Sequence, residues 1–124
     1  MNLTRHSQQR LQATFDYWNV PREYSAPITN YLLHGLPPGN FFAALIANDA
    51  LAAIQSCHPA NTIESLKCVT GWMQESLPAA SKGSWNALAN WYKTSDAARR
   101  IALEDAGLIY TEEQEILLAL KETA

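Results

Sequence analysis

Charge is scarcest in this chain where its apolar residues are densest. From residue 24 to residue 63 the only formally charged side chain is Asp49, in YSAPITNYLLHGLPPGNFFAALIANDALAAIQSCHPANTI. A stretch that long with one carboxylate is core or interface, because solvated surface carries charge. The whole chain is 17% charged and 48% hydrophobic. That charged share lies below the roughly 25% of ordinary soluble domains and again points to a covered face.

Long apolar runs are missing too. Pro27, Pro37, Pro38 and Gly39 interrupt the uncharged stretch. Its pieces fall short of the roughly 20 residues that span a bilayer, so no membrane helix is expected. The start, MNLTRHSQQRLQATFDYW, is polar and has no apolar core followed by small residues. No secretory signal is expected from it, and the cytoplasm of a bacterial host is the expected compartment. Cys57 and Cys68 are the only cysteines, which fits reduced structural thiols better than a disulfide framework.

Motifs for chemistry are equally thin. His34, Cys57, His58 and Cys68 form neither a close Cys pair nor a His pair one helical turn apart, so no metal is expected. The glycines of GLPPGN match neither GxxxxGKS/T nor GxGxxG, so no nucleotide or other cofactor is expected. No Ser or Cys is legibly paired with a His base on a strained turn, and no catalytic residue is assigned. A net charge of -3 and a pI near 5.5 give no general attraction to phosphate or anionic lipid. Nucleic acid is thereby disfavoured as a partner.

What is present reads all-α: a compact single domain over 1–124, with six or seven short to medium helices and no alternating strand pattern. A first helix is expected over 3–17, with Leu11, Phe15 and Trp18 on one face, ending before Val20-Pro21. Ser25 and Pro27 resemble the cap and first turn of a second helix that stops at Gly35. After the Pro-Pro-Gly elbow, residues 40–56 read as one long central helix. Phe42, Ile46, Asp49 and Ala53 form one stripe of it, and Ala43, Ala47, Leu51 and Ile54 form another, so it is expected to be enclosed. Asn61 with Thr62, then Ser84, Ser95 and Thr111, are expected to open later helices, Thr111 with Gln114 at capping-box spacing.

Six residues stand out. Asp49, enclosed by Phe42, Leu45, Ile46 and Ala53, would cost several kcal/mol to bury ionised unless paired. It is read as a structural polar anchor that accepts from a backbone N–H, a Tyr hydroxyl, a Trp N–H or an arginine. Trp85, Trp91, Tyr92, Arg99 and Arg100 are partner-binding candidates, since tryptophan and arginine are frequent binding hot spots. Trp85, after the Lys82-Gly83-Ser84 turn, is the aromatic most expected at the surface, and Arg99 and Arg100 are expected on an exposed face.

Residues 18–54, WNVPREYSAPITNYLLHGLPPGNFFAALIANDALAAI, and more faintly KGSWNALANW at 82–91, resemble small open reading frames of bacteriophages, prophages and plasmids. Those share a GxPPGxF element, an Asn-Asp pair and a Gly-Ser turn before an aromatic helix. The resemblance covers about half the chain and implies a mobile-element setting. It carries over no catalytic residue, and the tail after Thr94 has no counterpart in it.

The expected function is therefore that of a non-enzymatic accessory protein acting by protein–protein binding, for instance to a host or defence component. So little charge also suits a homodimer. One alternative is a helix-turn-helix DNA-binding regulator over 97–122, although TEEQEILLALKE puts glutamates where a groove-reading helix needs phosphate or base contacts. A second is an enzyme with a site around Asp49, which an open polar pocket there would favour.

Overall fold

A computed structural model describes residues 1–123, and within them the fold is all helical. Its helices are α1 (Arg5–Tyr17), α2 (Arg22–His34), α3 (Asn40–Ile46), α4 (Ala50–Ser56), α5 (Ile63–Ser76), α6 (Trp85–Lys93), α7 (Asp96–Asp105) and α8 (Glu112–Thr123). A 3-10 turn, Ala79–Ser81, precedes α6.

Local chemistry explains most of these boundaries. The hydroxyls of Thr4, Thr62, Ser84 and Ser95 accept from the backbone N–H three residues on, starting α1, α5, α6 and α7. Thr111 and Gln114 exchange the two bonds of a capping box at the start of α8. Pro21 rather than Ser25 precedes α2, so Pro27 lies inside the helix instead of in its first turn. Gly35 ends α2 with φ 64°, a left-handed conformation that glycine adopts without steric cost.

The expected long helix over 40–56 is two helices. Asn48 takes φ 59°, its N–H donates to the Leu45 carbonyl, and the Asp49 N–H donates to the Ala44 carbonyl. This is a left-handed helix stop with asparagine in the glycine position. Asp49 then restarts the chain, its Oδ1 accepting from the Ala52 N–H at 3.1 Å. α1 ends in the same way at Asn19, φ 55°.

The core centres on α2 rather than on residues 40–56. Ile28, Tyr31 and Leu32 are fully buried, and the Tyr31 hydroxyl donates to the Ser81 carbonyl at 2.6 Å. Trp91 Nε1 donates to the Tyr31 carbonyl at 2.9 Å, and Phe15 of α1 stacks on Trp72 of α5 at 4.3 Å. Each buried tryptophan has found an acceptor, Trp72 using the Thr14 hydroxyl. α4 is not enclosed: Leu51 and Ile54 are exposed, as is Ile63, and Ala53 alone is buried. Both cysteines are free, but Cys57 is exposed instead of packed.

Candidate functional site

The break between α3 and α4 brings a carboxylate, an indole and an ammonium onto one surface. The turn before α6 docks there, since the Gly83 N–H donates to the Ile46 carbonyl at the end of α3 at 2.8 Å. Ser84 caps α6, which makes Trp85 its first residue and aims the indole at the start of α4. Trp85 Nε1 donates to Asp49 Oδ2 at 2.8 Å. Asp49 thus accepts on both oxygens, once from the indole and once from the Ala52 N–H, and these bonds hold its carboxyl below the usual range.

This geometry corrects the expected surroundings of Asp49. The carboxylate is partly exposed at a helix start, because the left-handed turn at Asn48 rotates it off the stripe formed by Phe42 and Ile46. Burial of a charge is not what its partners offset.

Two hollows flank the break. One, of about 510 Å³, has an apolar floor of Leu45, Ile46, Met73 and Leu77 and a polar rim of Asn48, Asp49, Thr70, Gln74 and Lys82. Lys82 Nζ donates to the Met73 and Gln74 carbonyls at 2.9 Å each, near the negative end of α5. Thr70 spends its hydroxyl proton on the Leu66 carbonyl. The rim combines a fixed ammonium with an ionised carboxylate over an apolar floor, an arrangement suited to holding a small polar group. The second hollow, of about 480 Å³, runs between α4 and α6 and is lined by Pro37, Ala43, Ala52, Trp85, Leu88 and Tyr92 among others. Its character is apolar, and Trp85, 47% exposed, forms part of its wall.

The five partner-binding candidates separate in space. Trp85 and the half-buried Tyr92 line the same groove, with the Tyr92 ring edge-on to Tyr31 at 5.8 Å. Trp91 points the opposite way and is buried, since on a helix its position faces α2 and not the groove. Arg99, expected on an exposed face, is only 6% exposed. Its Nη1 donates to the carbonyls of Trp91 and Thr94 at the end of α6, and its Nη2 to Asp96 Oδ1 at 2.5 Å. Arg100 is half-exposed on the neighbouring position. Neither Trp91 nor Arg99 can meet a partner without disrupting the core.

Sequence reasoning missed Lys82 as a site residue and Asn48 as the hinge of the site. The signal for the latter is the Asn-Asp pair: asparagine tolerates the left-handed turn that stops one helix, and aspartate caps the next. Among the described residues no helix is long and apolar enough to cross a membrane, and no three His, Cys, Asp or Glu side chains gather as for a metal. No family model, curated protein or solved structure matches this chain.

Proposed function

We propose that this chain is a non-enzymatic accessory protein that binds another protein, with the groove between α4 and α6 as the contact and Trp85 as its anchor. One observation carries the reading: a large, half-exposed indole is fixed by Asp49 at the wall of an apolar groove. A pre-positioned aromatic loses little entropy on binding, and rigid aromatic anchors supply much of the energy of protein interfaces. The exposed Leu51 and Ile54 on α4 add apolar surface to the same helix. The resemblance of residues 18–54 to phage and plasmid reading frames supports a bacterial mobile-element setting and an intracellular host or defence protein as the partner.

The test is affinity purification from bacterial lysate with the wild-type chain and with Trp85→Ala, the latter first shown to melt normally. A partner held by the wild type and weakened roughly 10-fold or more by the substitution supports the reading. Reproducible failure to retain any protein at physiological salt overturns it. A partner held equally by both forms removes the groove from it.

The hollow bounded by Asp49 and Lys82 favours a second reading, a small-molecule or catalytic site around Asp49. Screening small zwitterionic and cationic ligands by thermal shift decides it. A ligand that stabilises the wild type but not Lys82→Ala supports this reading, and a silent screen removes it.

A further inference from the structure

α8 faces the protein with Glu115, the half-buried Leu118 and Glu122, and turns its other large apolar side chains outward. No residue of α8 is buried, and Ile116, Leu117 and Leu120 are 56, 60 and 60% exposed. The body-facing side is held by carboxylates. Glu115 accepts from the hydroxyls of Thr4 and Ser7, the latter at 2.8 Å, and meets His6 Nδ1 at 3.2 Å. Glu122 meets His6 Nε2 at 2.7 Å and Arg5 Nη2 at 2.8 Å. Rolling the helix to hide Ile116, Leu117 and Leu120 would break all of these contacts, so the clasp keeps that face outward.

We infer that the outward face of α8 is a self-association surface that pairs antiparallel with the same face of a second copy. The charges flanking that face select the occupant. Leu117 lies midway between Glu113 and Lys121, four residues from each. A two-fold axis at Leu117 therefore sets Glu113 of each copy opposite Lys121 of the other, and the two leucines meet on the axis. A parallel pairing would set Glu113 against Glu113 and Lys121 against Lys121. Glu112 and Glu113 at the leading turn also oppose an anionic lipid surface, the other solvent for an exposed leucine face. Three partly exposed side chains supply much less than the roughly 800 Å² per partner of a standard interface. The pairing is accordingly weak and appears only at high concentration. It stands independently of the Trp85 groove.

Sedimentation equilibrium across roughly 10 to 500 µM tests the pairing, in the range where an interface of this size associates. The expected result is a mass rising toward the dimer. Leu117→Glu abolishes the rise, Glu113→Lys weakens it, and Glu113→Lys combined with Lys121→Glu restores it. Because these positions are exposed, the variants should keep the wild-type melting temperature, which is checked first. Leu117→Cys gives an independent readout, a disulfide-linked dimer on mild oxidation of the full chain in a Cys57→Ser background. A monomer at every concentration overturns the inference. So does a dimer that survives Leu117→Glu, and one broken only by Trp85→Ala assigns self-association to the groove instead.

Discussion

The indole of Trp85 and the carboxylate of Asp49 meet at 2.8 Å, so the residue that starts α4 also sets the pose of the exposed aromatic on α6. Substitution separates the two roles. Asp49→Ala removes both the cap and the indole acceptor and should lower the melting temperature by several degrees. Asp49→Asn has one carbonyl oxygen, which can keep the cap at Ala52 while releasing Trp85. It should melt close to the wild type yet show greater acrylamide quenching of tryptophan fluorescence. An Asp49→Ala protein with an unchanged melting temperature would remove the structural role.

Asn48 holds the break open through its left-handed backbone, φ 59°. Glycine adopts that conformation freely, while a β-branched residue meets its own carbonyl there. Asn48→Gly should leave stability within about 0.5 kcal/mol, and Asn48→Val should cost roughly 1–2 kcal/mol. Urea titration reads both. Equal midpoints for the valine variant and the wild type would show that residues 40–56 tolerate a continuous helix.

The helical class, the elbow at Pro37-Pro38 and the caps at Thr62, Ser84, Ser95 and Thr111 were legible because each rests on bonds within a few residues of its signal, whereas the cap at Thr4 was not among them and Pro21 takes the place expected of Ser25. The break at Asn48 was not, because apolar periodicity runs straight through it: Phe42, Ile46, Asp49 and Ala53 keep helical spacing whether or not the helix is continuous. Only the pairing of a left-handed-tolerant asparagine with a capping aspartate marks the stop. The burial of Arg99 was hidden for a different reason. Its partners include the carbonyls that end α6, and backbone groups left over at a helix end leave no trace in residue identity. For Asp49 the acceptor role could be stated from sequence, but not that Trp85, far along the chain, would be the donor.

Arg99 closes the α6–α7 corner against Gly35, where an added Cβ would lie 2.7 Å from Nη1. Arg99→Ala leaves the Trp91 and Thr94 carbonyls without that donor, and Asp96 without its Nη2 bond. The expected loss is roughly 2–4 kcal/mol, against about 0.5 kcal/mol or less for Arg100→Ala. Chemical denaturation measures the pair. Similar small losses for both would place Arg99 at the surface after all. With Arg99 buried, a DNA-binding role for residues 97–122 must be probed at Arg100 alone, since charge reversal at Arg99 would read out unfolding.

The clasp on α8 makes its docking dependent on pH. Hydrogen bonds from Thr4 and then Ser7 and His6 hold the Glu115 carboxyl below its ordinary range, and bonds from His6 and Arg5 do the same for Glu122. A group whose pKa is depressed in the docked state favours docking above its undocked pKa and loses that contribution as pH falls through the docked value. α8 should therefore be held near neutrality and loosen as the pH drops below the ordinary glutamate range, about 4.3 and lower. Glu122 is half-exposed and Glu115 mostly covered, so salt screens the ionic part of the effect chiefly at Glu122. Amide protection factors, corrected for intrinsic exchange, should fall in α8 between pH 6 and pH 3 while those of α2 persist. Glu115→Gln keeps the shape of the side chain but not its charge. It should lower α8 protection at pH 6 and flatten the acid response, whereas protection in α8 that is indifferent to pH and to this substitution would mean that the helix is held by apolar contacts instead.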